Sequence, residues 1–128
     1  MQQSTNNITF CIPSKNNLRY LKSCINSIIE NSSLDNQIIV YVDVDNDGTK
    51  EWLKLKGIKY LENDLALPRG IAYGYNRCIE AAQTDLVCMF HADMYMAKGF
   101  DTNLIKHITD KKVVVSATRI EPPLHPPG

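Results

Sequence analysis

Acidic side chains stand at two places where an apolar run ends, a placement suited to holding a phosphate through a cation. Asp43-Val44-Asp45-Asn46-Asp47-Gly48 follows QIIVYV directly, and His91-Ala92-Asp93-Met94 follows LVCMF. A carboxylate at the tip of a buried strand can hold a divalent ion that neutralises a bound diphosphate. Asp93 is the candidate for that task, with a helix-capping role as the alternative. His91 could ligate a metal, donate to a substrate or pack at the strand end. Two further polar segments complete the set: Pro13-Ser14-Lys15-Asn16 after ITFCI, and Arg69-Gly70 ahead of a helical stretch. A glycine there permits close backbone approach, and a helix N-terminus favours phosphate. Arg69 could pair with a diphosphate or sit solvated in a loop. Neither a GxGxxG fingerprint nor a P-loop is present.

These segments are positioned by alternating apolar and helical stretches. Ile8–Ile12 reads as a strand ended by Pro13. Leu18, Leu21, Cys24, Ile25, Ile28 and Ile29 recur at helical spacing up to about Asn31. Gln37–Val42 is apolar on both faces, as a central parallel strand covered by helices must be. A short helix spans Thr49–Leu55 with Thr49 as its N-cap, then a strand spans Ile58–Leu61. Pro68–Ala82 carries Ile71, Tyr75, Cys78, Ile79 and Ala82 on one helical face. A strand at Leu86–Phe90, a helix at Phe100–Ile108 and a strand at Val113–Ala117 complete the order. Alternation of this kind predicts an α/β fold, a doubly wound, mostly parallel sheet flanked by helices. Ligands of such sheets bind beyond the carboxyl ends of the strands, where three of the polar segments lie, with the Arg69-Gly70 loop expected nearby.

Composition narrows the function classes. The 128 residues suit one domain, 1–128, and 14 basic against 14 acidic residues leave no net charge. A nucleic-acid binder would show a basic excess or stripe, so that partner is not expected. No apolar run approaches the roughly 18 residues of a membrane span, and MQQSTNNITF lacks the order of a signal peptide. Cys11, Cys24, Cys78 and Cys88 show no CxxC spacing and read as buried free thiols in a reducing, cytoplasmic setting. Asp43–Gly48 imitates the opening of an EF-hand, but its twelfth position is Lys54 and a strand precedes it. Asp47 and Gly48 fit a turn chosen for backbone reasons. His107 reads as a surface residue on a helix, and His125 in the tail carries no assignment. The ending EPPLHPPG follows an apolar strand directly, from which the chain is expected to be one half of something longer.

In order, ITFCIPSKN, IIVYVDVDNDGT, RGIAYGYNRCIEAAQTD and MFHADM resemble the first half of a family 2 glycosyltransferase across essentially the whole chain. The resemblance implies a GT-A, Rossmann-like nucleotide-diphospho-sugar transferase fold. It implies inverting, metal-dependent transfer of a sugar from a UDP- or GDP-linked donor to an acceptor hydroxyl, the acceptor being a saccharide, with Mn²⁺ or Mg²⁺. On it, Pro13, Ser14, Lys15 and Asn16 would border the base and ribose, and Asp43 would hydrogen-bond the base, with Asp45 beside it. Arg69 and Gly70 would approach the nucleotide or its diphosphate. His91, Ala92 and Asp93 stand at the DxD motif, with Asp93 as metal ligand and catalytic residue. His91 replaces the first acid, which puts the usual ribose contact in doubt. Met94 stands where an acid often follows, and the acceptor half with its general base is absent. A degenerate or truncated binding module without turnover therefore stands beside the enzyme reading. A sugar nucleotidyltransferase would have a Gly-rich loop where PSKNN stands. A receiver-like domain would need an acidic pair where Ser14-Lys15 stands.

Overall fold

A computed structural model describes residues 7–64 and 67–108. Strand β1 (Ile8–Lys15) alternates its side chains between two apolar layers. Ile8, Phe10 and Ile12 face one side, where helix α1 (Leu18–Asn31) contributes Leu21, Cys24, Ile25 and Ile28. Strand β2 (Gln37–Val44) adds Val40 and Val42 to that layer, helix α2 (Thr49–Lys56) adds Leu53, and helix α4 (Phe100–Lys106) brings Phe100 against it. Cys11, Ile39 and Tyr41 face the other side, against Tyr75 and Cys78 of helix α3 (Ile71–Ala81). Strands β3 (Lys59–Glu62) and β4 (Leu86–Met89) complete a four-stranded sheet of order β3-β2-β1-β4, every pairing parallel. The helix-covered, doubly wound sheet expected from the alternation is present. The expected strand at Val113–Ala117 lies outside the described residues, as does His125.

Several boundaries differ from the sequence expectation. Strand β1 runs through Pro13 to Lys15. Its pairing with β4 stops at Cys11–Met89, while pairing with β2 continues to Lys15–Val44. The Cys11 carbonyl accepts Phe90 N at 3.0 Å, and residues two apart in a strand point the same way. The N–H that Pro13 lacks therefore falls on the side where no strand remains to receive it. Thr49 is not the N-cap of α2; Gly48, at φ +86°, holds that position and Thr49 is fully buried. Helix α3 begins at Ile71 rather than Pro68, because Gly70 adopts φ +91° immediately before it.

The face that α3 presents to the sheet also differs. Ile71 and Ile79 are exposed, and Gly74, Tyr75 and Cys78 make the contact. A Cβ at Gly74 would stand 3.0 Å from Tyr41 Cδ2 and 3.1 Å from Pro13 Cβ. The missing side chain lets the helix lie directly on β1 and β2. Gly74→Val is expected to force α3 off the sheet and to cost about 2 kcal/mol, read as a lower urea midpoint at unchanged m-value. A midpoint equal to wild type would show that the contact tolerates bulk.

Candidate functional site

The strand order reverses between β1 and β4, and the loops leaving their carboxyl ends diverge there. Asp43 leaves β2 and Asp93 follows β4, on either side of β1. Strands β2 and β4 are separated by two inter-strand spacings, about 10 Å. Both acids lie toward the carboxyl ends of parallel strands.

The segment after β4 is anchored at alternate residues. Phe90, Ala92 and Met96 are buried, which turns His91, Asp93 and Tyr95 outward. One stripe of α1 holds it in place. The Cys24 thiol donates to the His91 carbonyl at 3.5 Å, Asn31 Nδ2 donates to the Met96 carbonyl at 2.7 Å, and Met96 N donates to Ser27 Oγ at 2.8 Å. The Asp93 carboxylate has no hydrogen bond or ion pair among the described residues, so its oxygens face solvent unengaged. Its charge reaches inward all the same. Burial first, and Asp93 second, push the Cys24 thiol up to about 12. Tyr75 is also pushed up to about 12, by burial and then by neighbouring thiols and Asp93. The His91 ring lies edge-on to Tyr75, centroids 6.4 Å apart.

Asp43 is engaged quite differently. Its Oδ1 accepts Asn63 Nδ2 and Arg69 N, both at 2.9 Å, and its Oδ2 accepts Gly70 N at 3.0 Å. The carboxylate clamps the turn that leads into α3. The two amides expected to meet phosphate are already bonded to Asp43. What the clamp leaves available is the Arg69 side chain, whose guanidinium lies 4.4 Å over the Tyr73 ring and 3.8 Å from Asp64. Tyr73 in turn meets Tyr41 edge-on at 5.7 Å. The Tyr41 hydroxyl and Arg69 Nε are buried there without hydrogen-bond partners among the described residues.

The remaining candidates organise the loops. Ser14 is buried and donates to Asn17 Oδ1 at 2.6 Å. Asn16, at φ +50°, accepts Asn46 N at 2.7 Å and donates its own N–H to the Val44 carbonyl. Asp45 accepts the amides of Thr49 and Lys50, and Asp47 accepts Leu18 N and the Thr49 hydroxyl. The Asp45–Gly48 segment is thus a turn whose carboxylates serve the starts of α1 and α2. Pro13 packs toward α3, and Lys15 is exposed at the strand irregularity. Among the described residues no three or more His, Cys, Asp or Glu gather as a metal-holding group. The four cysteines are free, three of them buried and Cys88 half-buried. Sequence reasoning missed Asn63 and Tyr73; Tyr75 it placed on the packed face of the helix, where the structure has it.

Comparison with known proteins agrees with this architecture. The profile of Glycosyl transferase family 2 matches residues 9–125. The uncharacterized protein MT1568 of Mycobacterium tuberculosis is 28% identical over 110 residues, covering 83% of this chain and 34% of that protein. Among solved structures, residues 1–349 of TarS from S. aureus, in complex with UDP-GlcNAc, superpose with a TM-score of 0.69 at 17% identity. That match covers 80% of this chain and 31% of the TarS chain. The mannosyltransferase PcManGT of Pyrobaculum calidifontis, in complex with GDP-Man and Mn²⁺, gives 0.67 at 20% identity, over 80% and 32% of the two chains. The present chain thus spans about a third of the length of these relatives. Among the described residues no helix is long and apolar enough to cross a membrane. With a profile that covers nearly all of its residues and a parallel sheet that superposes on glycosyltransferases, the chain belongs to glycosyl transferase family 2 and has a GT-A fold.

Proposed function

We propose that this chain binds a nucleotide-diphospho-sugar at the carboxyl edge of its sheet and serves inverting transfer of the sugar to an acceptor hydroxyl. The observation that carries the reading is the unengaged Asp93 carboxylate, turned outward by the buried Phe90, Ala92 and Met96 on either side of it. Mg²⁺ and Mn²⁺ sites in transferases commonly use one or two protein carboxylates, with phosphates and water completing the shell. A lone free carboxylate fits that pattern. Asp93 would hold the cation, which supplies charge neutralisation of the departing diphosphate. Arg69, braced on Tyr73, offers a fixed cation to the same diphosphate. Asp43 orders the turn that presents Arg69 and borders the nucleotide base. None of the described residues is assigned as the base that deprotonates an acceptor.

Calorimetric titration with UDP and GDP, with and without Mn²⁺, tests the reading. Binding that requires the metal is expected; absence of binding under both conditions would sink it. Arg69→Ala should weaken nucleoside diphosphate binding about tenfold, the effect of removing one charge-assisted contact to phosphate. The nucleoside without phosphate should bind the variant and wild type alike. Equal losses for both ligands would place Arg69 at the base instead.

A further inference from the structure

The turn that carries Asp93 is closed by Met94 N, which donates to the His91 carbonyl at 3.1 Å. Other elements fix its two ends. Phe90 N donates to the Cys11 carbonyl of β1 at 3.0 Å, and Met96, which is fully buried, gives both of its backbone groups to α1. Met96 N donates to Ser27 Oγ at 2.8 Å, and the Met96 carbonyl accepts Asn31 Nδ2 at 2.7 Å. The Ser27 hydroxyl is itself oriented. It donates its one proton to the Cys24 carbonyl at 2.7 Å, so only its lone pairs face Met96. Ser27 is buried as well, so solvent does not reach this bond to replace either partner.

From this we infer that Ser27 is a positioning residue for the cation: by fixing Met96 it fixes the turn that aims the Asp93 carboxylate. The inference rests on the reading of Asp93 as the metal ligand. Asp93 makes no hydrogen bond or ion pair among the described residues, so no contact at its tip sets its place. Its place comes from the backbone on either side, and three residues further on that backbone is bonded to Ser27. Ser27 lies in the interior beneath the turn and acts only through it. A ligand already held in place binds more tightly than one that must be ordered on binding. Residues that orient a metal ligand typically contribute 10–100-fold to metal affinity. Asn31 serves the same end from the carbonyl side of Met96.

The test is the affinity of the whole chain for Mn²⁺, read by electron paramagnetic resonance of the free ion. It is measured with UDP or GDP present in excess, whichever wild type binds more tightly. Ser27→Ala should weaken Mn²⁺ binding about tenfold, while the matching nucleoside, which carries no phosphate, binds variant and wild type alike. Ser27→Thr keeps the hydroxyl and should recover most of the loss. Hydrogen exchange without any metal gives a second reading. The Met96 amide should exchange about tenfold faster in Ser27→Ala than in wild type, and Ser27→Thr should restore its protection. A folded Ser27→Ala with wild-type Mn²⁺ affinity would overturn the positioning role and leave Asp93 standing as the ligand. Equal losses for Mn²⁺ and for the nucleoside would mark a general loosening of the domain and overturn it too. Wild type that binds neither nucleotide, or binds one without need of Mn²⁺, would overturn the reading of Asp93 and this inference with it. Should Ser27→Ala fail to fold, Asn31→Asp carries the same comparison, because it sets a carboxylate against the Met96 carbonyl. The same loss is expected of it, and wild-type Mn²⁺ affinity in that variant would overturn the inference.

Discussion

Asp93→Ala should remove the metal-dependent part of nucleoside diphosphate binding, at least about a hundredfold in affinity, while the fold stays as stable as wild type. Both halves of that expectation come from the same observation. Asp93 makes no hydrogen bond or ion pair among the described residues, and its side chain is exposed. Truncating it breaks no contact, so the thermal midpoint should hold. Loss of its negative charge would, if anything, ease the ionisation of Cys24 and Tyr75 beneath it. Substituting even a supporting residue of a metal ligand typically costs 10–100-fold, and the ligand itself costs more. Calorimetry with and without Mn²⁺ measures the first half, and thermal unfolding the second. Binding that keeps its metal dependence in the variant would remove Asp93 from the cation site. His91→Ala separates two roles for the neighbouring ring. A loss confined to the Mn²⁺ condition marks a ligand, whereas a loss under both conditions marks a contact to the nucleotide.

The contrast between Asp93 and Asp43 shows what a reading of sequence can reach. Strand alternation and helical spacing are local signals. They located the sheet and its helices, and the resemblance to family 2 glycosyltransferases agrees with the profile match. Both acids were expected at strand tips; Asp43 is the penultimate residue of β2, whereas Asp93 lies four residues beyond the end of β4, in a turn. The partners of Asp43, however, stand 20, 26 and 27 residues further along the chain, on a turn whose path no local pattern encodes. The same holds for the stripe of Cys24, Ser27 and Asn31. Its spacing reads as ordinary helix, and its grip on residues 91–96 exists only once β4 lies beside β1. Gly74 was also silent. A glycine inside a helix reads as a small local penalty until Tyr41 and Pro13 are seen to fill the space above it. Asn16 and Asp45 carry a structural role that their place at a strand end does not announce: their oxygens bind backbone amides of the adjoining loops.

Asp101 is the residue whose loss should damage the fold most, although nothing in its surroundings along the chain marks it. It is fully buried in the first turn of α4. Oδ2 accepts Ser33 N at 2.8 Å and both Leu34 N and Asn36 Nδ2 at 2.9 Å, and Oδ1 accepts Thr102 N at 2.9 Å. The carboxylate thereby ties α4 to the turn between α1 and β2. Asp101→Ala removes the acceptor of three donors of that turn, each worth roughly 1–3 kcal/mol when buried and unpaired. Ser33 is exposed and Asn36 Nδ2 keeps Ser32 Oγ at 3.1 Å, so water and that bond recover part of this. About 2–4 kcal/mol is expected, a large share of the roughly 5–15 kcal/mol of a typical domain. Urea unfolding at neutral pH measures it. The acid limb gives a second reading. Burial alone would raise the Asp101 pKa, but the hydrogen bonds from Asn36, Leu34, Ser33 and Thr102 outweigh it and hold the value below the ordinary 3.8. The folded state thus binds its proton less readily than the unfolded chain. This contribution is fully present above the unfolded value and is lost as pH falls through the depressed folded one. Asp101→Asn keeps the shape but removes the titration, so its stability should fall less steeply below pH 3.8 than wild type. Some slope will persist, because Asp47 is also held low: the bonds it receives from Thr49 and Leu18 outweigh the upward pull of its burial. Identical acid slopes in wild type and Asp101→Asn would show that the carboxylate charge plays no part in joining α4 to the α1–β2 turn.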